Sequence, residues 1–117
     1  MPWVNGEMCV GCGICMDECA VEAISMNDDI AFIDEDRCIR CGVCHDVCPE
    51  DAVRHDGERI PQEVEANLAW IRRFLAHEYY AENKGRQKEL LERMKRYFTK
   101  ERKVAENTIE RIDTITL

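Results

Sequence analysis

A chain of 117 residues with 24 Asp and Glu against 16 Lys and Arg has a formal net charge of −8, room for one ordinary domain or a very small one with an extension, and the wrong sign to coat nucleic acid. Its longest uncharged stretches fall far short of the roughly 18 residues a membrane helix requires, and MPWVNGEMCVGC has neither the basic start nor the apolar run of an export signal, so membrane insertion is not expected and the cytoplasm is. The charge is uneven: residues 1–60 hold 14 acidic and 4 basic side chains and all eight cysteines, net −10, whereas 61–117 hold 10 and 12, net +2.

The first element in chain order is a cysteine run, Cys9, Cys12, Cys15 and Cys19, spaced C-x2-C-x2-C-x3-C. Ser25 to Asp34 follows as a predicted hairpin, with Asn27, Asp28 and Asp29 at its bend and Ile30, Phe32 and Ile33 as its apolar residues. The same spacing then returns 29 residues after the first as Cys38, Cys41, Cys44 and Cys48. CVGCGICMDEC and CIRCGVCHDVC also share Gly13 with Gly42, Val10 with Ile39, Ile14 with Val43, and Asp17 with Asp46, so the segment is an internal duplication.

Residues 61–117 contain no cysteine, and their apolar positions recur at helical intervals. Val64, Leu68, Ile71, Phe74 or Leu75, and Tyr79 make one stripe. Leu90 or Leu91, Met94, Tyr97 or Phe98, Val104 or Ala105, Thr108, Ile109 and Ile112 make another. Pro61 suits an early helical position and Asn83 with Gly85 marks a break, which predicts helices over 61–82 and 86–112. Their apolar side, with Trp70, Phe74, Tyr79, Tyr97 and Phe98, must be buried against the cysteine module, against itself or against another chain. The basic run Arg93, Lys95, Arg96, Lys100, Arg102 and Lys103 is interrupted by Glu89, Glu92, Glu101, Glu106 and Glu110, the pattern of a solvated helix face with i,i+4 ion pairs, so nucleic acid is not the expected partner.

In a reducing compartment an even set of cysteines reads as metal ligands before disulfides. Three cysteines within seven residues can wrap one short loop around a cuboidal iron-sulfur cluster, each thiolate meeting a different iron, and the fourth iron then needs a ligand from elsewhere. Zinc bound by four cysteines would use pairs of C-x2-C knuckles and leave the third cysteine of each run surplus, and a disulfide framework suits a secreted mini-protein; both are weaker readings. Gly13 and Gly42 permit the tight turn inside each loop and leave amides free to approach sulfur. His45, beside Cys44, reads as a surface loop histidine before a proton-coupled one; His55 and His77 stand alone, and Trp3 reads as cover for the core. No P-loop, dinucleotide-binding glycine pattern or nucleophile-base pair remains once the cysteines are committed, so no catalytic residues and no substrate chemistry are expected.

On these motifs, residues 1 to about 58 resemble the bacterial-type ferredoxins with two 4Fe-4S clusters. The resemblance implies an α+β fold of two pseudo-twofold halves over residues 1–60, each with a short strand, a cluster loop, a short helix and a returning strand. Pro2 to Glu7 would supply the first strand and Cys19 to Ile24 a helical turn, with Pro49 to Val53 and Arg54 to Ile60 as the second copy; 61–117 would follow as a two-helix arm. By the family's rule, in which the last cysteine of each run serves the other cluster, Cys9, Cys12, Cys15 and Cys48 hold one 4Fe-4S cluster and Cys38, Cys41, Cys44 and Cys19 the other. Cys48 is followed by the family's proline, Pro49, but Cys19 by Ala20, a departure that removes a rigid ring and no ligand. The implied function is one-electron transfer, with the acidic module steered onto a basic docking surface of a redox partner. The arm would dock the chain to an oxidoreductase subunit or self-associate, the alternatives being a freely diffusing low-potential carrier, a non-turnover structural or sensor protein, or an arm that braces the module.

Overall fold

The computed structural model describes residues 2–117 and divides after Glu63 into two compact units. The first unit is α+β. Strand β1 (Trp3–Val4) is followed by helix α1 (Ile14–Glu18), strands β2 (Ile24–Asn27) and β3 (Ile30–Ile33), helix α2 (Val43–Val47), strand β4 (Val53–Arg54) and a 3-10 turn over Asp56–Arg59. Two small antiparallel sheets result: β1 pairs with β4, Val4 opposite Val53, and β2 pairs with β3, Ile24 opposite Ile33.

The predicted hairpin forms, and its chemistry is visible in the backbone. Asp28 and Asp29, the two residues between β2 and β3, both have positive φ, 50° and 63°. That conformation matches the right-handed twist of the strands, and aspartate tolerates it because its short side chain can satisfy nearby backbone. Alternation in β3 then buries Ala31 and Ile33 and leaves Ile30 and Phe32 exposed. These residues join Ile24, Val53, Cys15 and Cys44 in the core, with Val4, Met26, Cys9, Cys19, Cys38 and Cys48 packed around it. Half of that core is sulfur chemistry. A module this small has little aliphatic burial to draw on, so a group bound by the cysteines would supply a large part of what holds it together.

The helical turns lie elsewhere than expected. They are not at 19–24 and 49–53 but inside the cysteine runs, starting at Gly13 and Gly42, whose φ values of 76° and 80° turn the chain into each helix. Cys19 and Cys48 end them in extended conformation. The first strand is also shorter than 2–7, and 54–60 supplies only the end of β4 before turning into the 3-10 segment. Trp3 closes this end: its indole N–H donates to the His55 carbonyl at 2.8 Å and the Arg59 guanidinium lies 5.0 Å from its ring centre.

The second unit is helical. Helix α3 (Ile60–Leu75), whose first turn precedes the division after Glu63, stops short of residue 82, and 76–82 is wound as turns. The His77 ring nitrogen Nδ1 accepts the Tyr79 amide at 3.0 Å, offering that N–H a partner outside the helical ladder, and Glu82 takes positive φ. Asn83 then caps helix α4 (Lys84–Ile112), its side-chain oxygen accepting the Arg86 amide at 3.0 Å. Trp70 meets Tyr97 and Phe98 edge-on with ring centres 5.7 and 6.4 Å apart. Only Leu90 and Met94 are buried in α4; Leu91, Val104, Ile109 and Ile112 are exposed. The two stripes therefore cover each other incompletely, since 29 residues make a helix of about 43 Å and 16 residues one of about 24 Å.

Candidate metal centres

The cysteines line two recesses in the first unit. One, of about 360 Å³ counted to its mouth, is walled by Cys9, Cys12, Cys15 and Cys48, with Val10, Met26, Ala31 and Val53 among the apolar neighbours. The other, of about 340 Å³, is walled by Cys19, Cys38, Cys41 and Cys44, with Ile24, Ile33, Ile39 and Val43. Each thus takes three cysteines from one run and the last cysteine of the other run. All eight thiols are free. Among the described residues no three Cys, His, Asp or Glu side chains converge as ligands of one metal ion; the sulfurs ring a space and do not meet at a point. Four soft donors around an apolar space fit a polynuclear iron-sulfur group, whose irons each take one thiolate.

Local structure places these sulfurs. Gly13 and Gly42 bend the chain so that Cys15 and Cys44 enter the first turns of α1 and α2 and point inward, where both are buried. Backbone amides reach the sulfurs at the other ends: Ala23 N–H donates to Cys19 Sγ at 3.3 Å, Ala52 N–H to Cys48 Sγ at 3.3 Å, and Arg40 N–H to Cys38 Sγ at 3.4 Å. The thiols divide accordingly. The Ala23 amide, with further backbone donors, lowers the Cys19 pKa, whereas burial raises those of Cys15 and Cys44, with nearby cysteines adding repulsion. A cation beside the two buried thiols, as iron would be, favours their ionised form.

Gly11 is a site residue that the spacing alone did not single out. Its φ is +71°, and a Cβ there would stand 2.5 Å from the Asp29 carbonyl oxygen, so the first loop is pressed against the hairpin turn. The matching position in the second loop is Arg40, with the same backbone handedness at φ 62° and an ion pair to Asp56 at 3.6 Å. The signal was present in the aligned runs as the single glycine-to-arginine difference between CVGC and CIRC. His45 is not a loop histidine on the surface. It is half-buried, its Nδ1 donates to the Val53 carbonyl, and its ring lies 4.1 Å from that of His55, so it ties α2 to β4. His77 has the turn-forming role described above, and no histidine lines either recess.

The chain is similar to known proteins in this first unit. Residues 8–52 match the family model of the 4Fe-4S dicluster domain. A probable ferredoxin of Methanosarcina thermophila is 61% identical over 33 residues, covering 27% of this chain and 57% of the relative. The chain therefore spans little more than half the length of that curated relative, and residues 61–117 lie outside the family match.

Proposed function

We propose, from residues 8–52 being a ferredoxin-type segment, that this protein is a one-electron carrier with two 4Fe-4S clusters, one on Cys9, Cys12, Cys15 and Cys48 and the other on Cys38, Cys41, Cys44 and Cys19. The observation that carries the reading is the partition of the eight cysteines into two apolar recesses, four to each, three from one run and one from the other. A 4Fe-4S cluster held by four thiolates supplies uptake and release of one electron. The cysteines hold the group, the Ala23, Ala52 and Arg40 amides spread negative charge off the sulfurs, and the aliphatic lining keeps water away. In this reading the two runs are one unit used twice, and the chain performs no substrate chemistry of its own.

The helical unit is the means by which such a carrier is fixed to a larger oxidoreductase in the cytoplasm. Leu91, Val104, Ile109 and Ile112 leave apolar surface uncovered beside the basic run of α4, which favours a docked subunit over a freely diffusing carrier. The acidic first unit, in turn, suits a redox partner with a basic docking surface. Anaerobic purification should give about eight irons and eight sulfides per chain and a reversible one-electron wave. Zinc without sulfide, or colourless loaded protein, would end this reading.

A further inference from the structure

Cluster loops related by duplication should be electrically alike unless the residues around them differ, and here several of their immediate neighbours differ. The first recess counts Glu50 among its lining residues, its loop is pressed at Gly11 onto the Asp28–Asp29 turn, and its run from Cys9 to Cys19 carries Asp17 and Glu18 with no basic side chain. The second recess has no charged residue in its lining, and its run from Cys38 to Cys48 carries Arg40 against Asp46 alone. The Ala52 N–H donates to a sulfur of the first recess at 3.3 Å, with Met16 acting on Cys15, whereas Ala23 at 3.3 Å and Arg40 at 3.4 Å donate to sulfurs of the second, with further backbone donors acting on Cys19 and Cys44. These differences stabilise added negative charge better at the second recess, and they act against the acidic stretch Asp34, Glu35 and Asp36 that precedes Cys38 where Asn5, Gly6 and Glu7 precede Cys9.

Arg40 is a long charged side chain in a left-handed position, as Glu22 and Glu82 are, but of the three it alone lies between two cysteines of one run. Its backbone has a left-handed φ of 62°, a conformation that favours glycine, and glycine is what the first loop has at the matching position. Its guanidinium meets Asp56 at 3.6 Å with both side chains largely exposed, and an ion pair of that kind contributes too little to offset the backbone strain. What the arginine does supply, between two ligand cysteines and at every pH, is a positive charge.

Resting on the two-cluster reading above, we propose that the two centres are unequal, with the one on Cys38, Cys41, Cys44 and Cys19 the more easily reduced, and that Arg40 is a positioning residue that sets the difference. A single electron from an external one-electron donor, such as a reduced viologen, then resides at the second centre while the first stays oxidised. The electron balance is one lost by the donor and one gained by the chain. The direction of transfer through the protein is from the Cys9 loop toward the Cys38 loop.

The test is an anaerobic redox titration of the full, loaded chain, with the midpoints of both centres read by electron paramagnetic resonance and iron and sulfide measured on the same samples. Arg40→Gly installs the residue the backbone prefers. It should lower only the higher midpoint, by about a threefold change in the one-electron equilibrium, the size expected for one unit charge at a solvent-exposed site and equal to about 28 mV at 59 mV per decade. Arg40→Lys should restore it, and Asp56→Asn should raise the same midpoint. Two coincident midpoints in the unaltered chain, a shift confined to the lower one, or no shift in Arg40→Gly with full iron and sulfide would overturn the inference while leaving the cluster reading intact. Absence of iron and sulfide from the unaltered chain would instead remove the reading on which it rests.

Discussion

The close approach of Gly11 to the hairpin turn makes Gly11→Ala the most direct probe of how the first loop is built. Two costs add. A side chain at φ +71° brings about 1–2 kcal/mol of left-handed strain. The new methyl would also sit 2.5 Å from the Asp29 carbonyl oxygen and 3.3 Å from Asp29 C and Cβ, against 3.4 Å for an ordinary contact, so loop and turn must part by about 0.9 Å. The obstacle is backbone, which has no rotamer to escape into, and overpacking of this kind costs about 1–3 kcal/mol. Gly13→Ala is the matched control, because Gly13 has φ +76° but nothing within 4 Å of its would-be Cβ. Both variants share the strain, and only the first has the clash. The assay is loss of visible cluster absorption on anaerobic heating at one fixed scan rate, since the loss is irreversible and only like scans compare. With about 4–8 °C per kcal/mol for a domain of this size, Gly11→Ala should bleach at least about 4 °C below Gly13→Ala. Equal bleaching temperatures would mean that the loop is not held against the Asp28–Asp29 turn.

Further outcomes are expected elsewhere in the chain. Cys48→Ser should damage the centre that contains Cys9, Cys12 and Cys15 and spare the other, as seen in the spectrum of the reduced sample; damage confined to the Cys38 centre would reverse the ligand partition. Asp29→Gly, at φ 63° in the two-residue hairpin turn, should raise the bleaching temperature slightly, because about 1–2 kcal/mol of left-handed strain is relieved against about 0.5–1 kcal/mol of added chain entropy, and a drop would show that its side chain has a role the turn geometry does not reveal. Leu90→Ala removes one of only two buried side chains of α4 and should cost about 2–5 kcal/mol, read as an earlier loss of helical circular dichroism on heating. Reversing charge at Lys95, Arg96 and Lys100 should abolish capture of a partner oxidoreductase at unchanged iron content if α4 docks the chain, and should leave capture intact if the carrier diffuses freely.

The cysteine runs declared their chemistry in sequence because metal ligation depends on a few donor atoms at fixed intervals, and C-x2-C-x2-C-x3-C leaves little latitude for what those donors can surround. The hairpin at 24–33 was legible for a similar reason: two consecutive aspartates between short apolar stretches carry the turn conformation locally. The α+β character of the first unit was implied by the family resemblance, and the two helices of the second followed from the periodicity of their apolar residues. Local signals misplaced the small helices, however, because five-residue helices such as α1 and α2 have almost no periodicity to read. Their starts are fixed by Gly13 and Gly42 turning left-handed so that Cys15 and Cys44 can face inward. The end of α3 at Leu75 was equally hidden, since it depends on His77 capturing an amide two residues ahead. The gathering of Cys48 with the first run and Cys19 with the second was expected through the family resemblance and not from spacing, whereas the pressing of Gly11 onto Asp29 and the pairing of Arg40 with Asp56 were not expected and join residues distant along the chain. Such juxtapositions are products of packing, in which side chains share a volume whatever their spacing, and only the tertiary structure decides them.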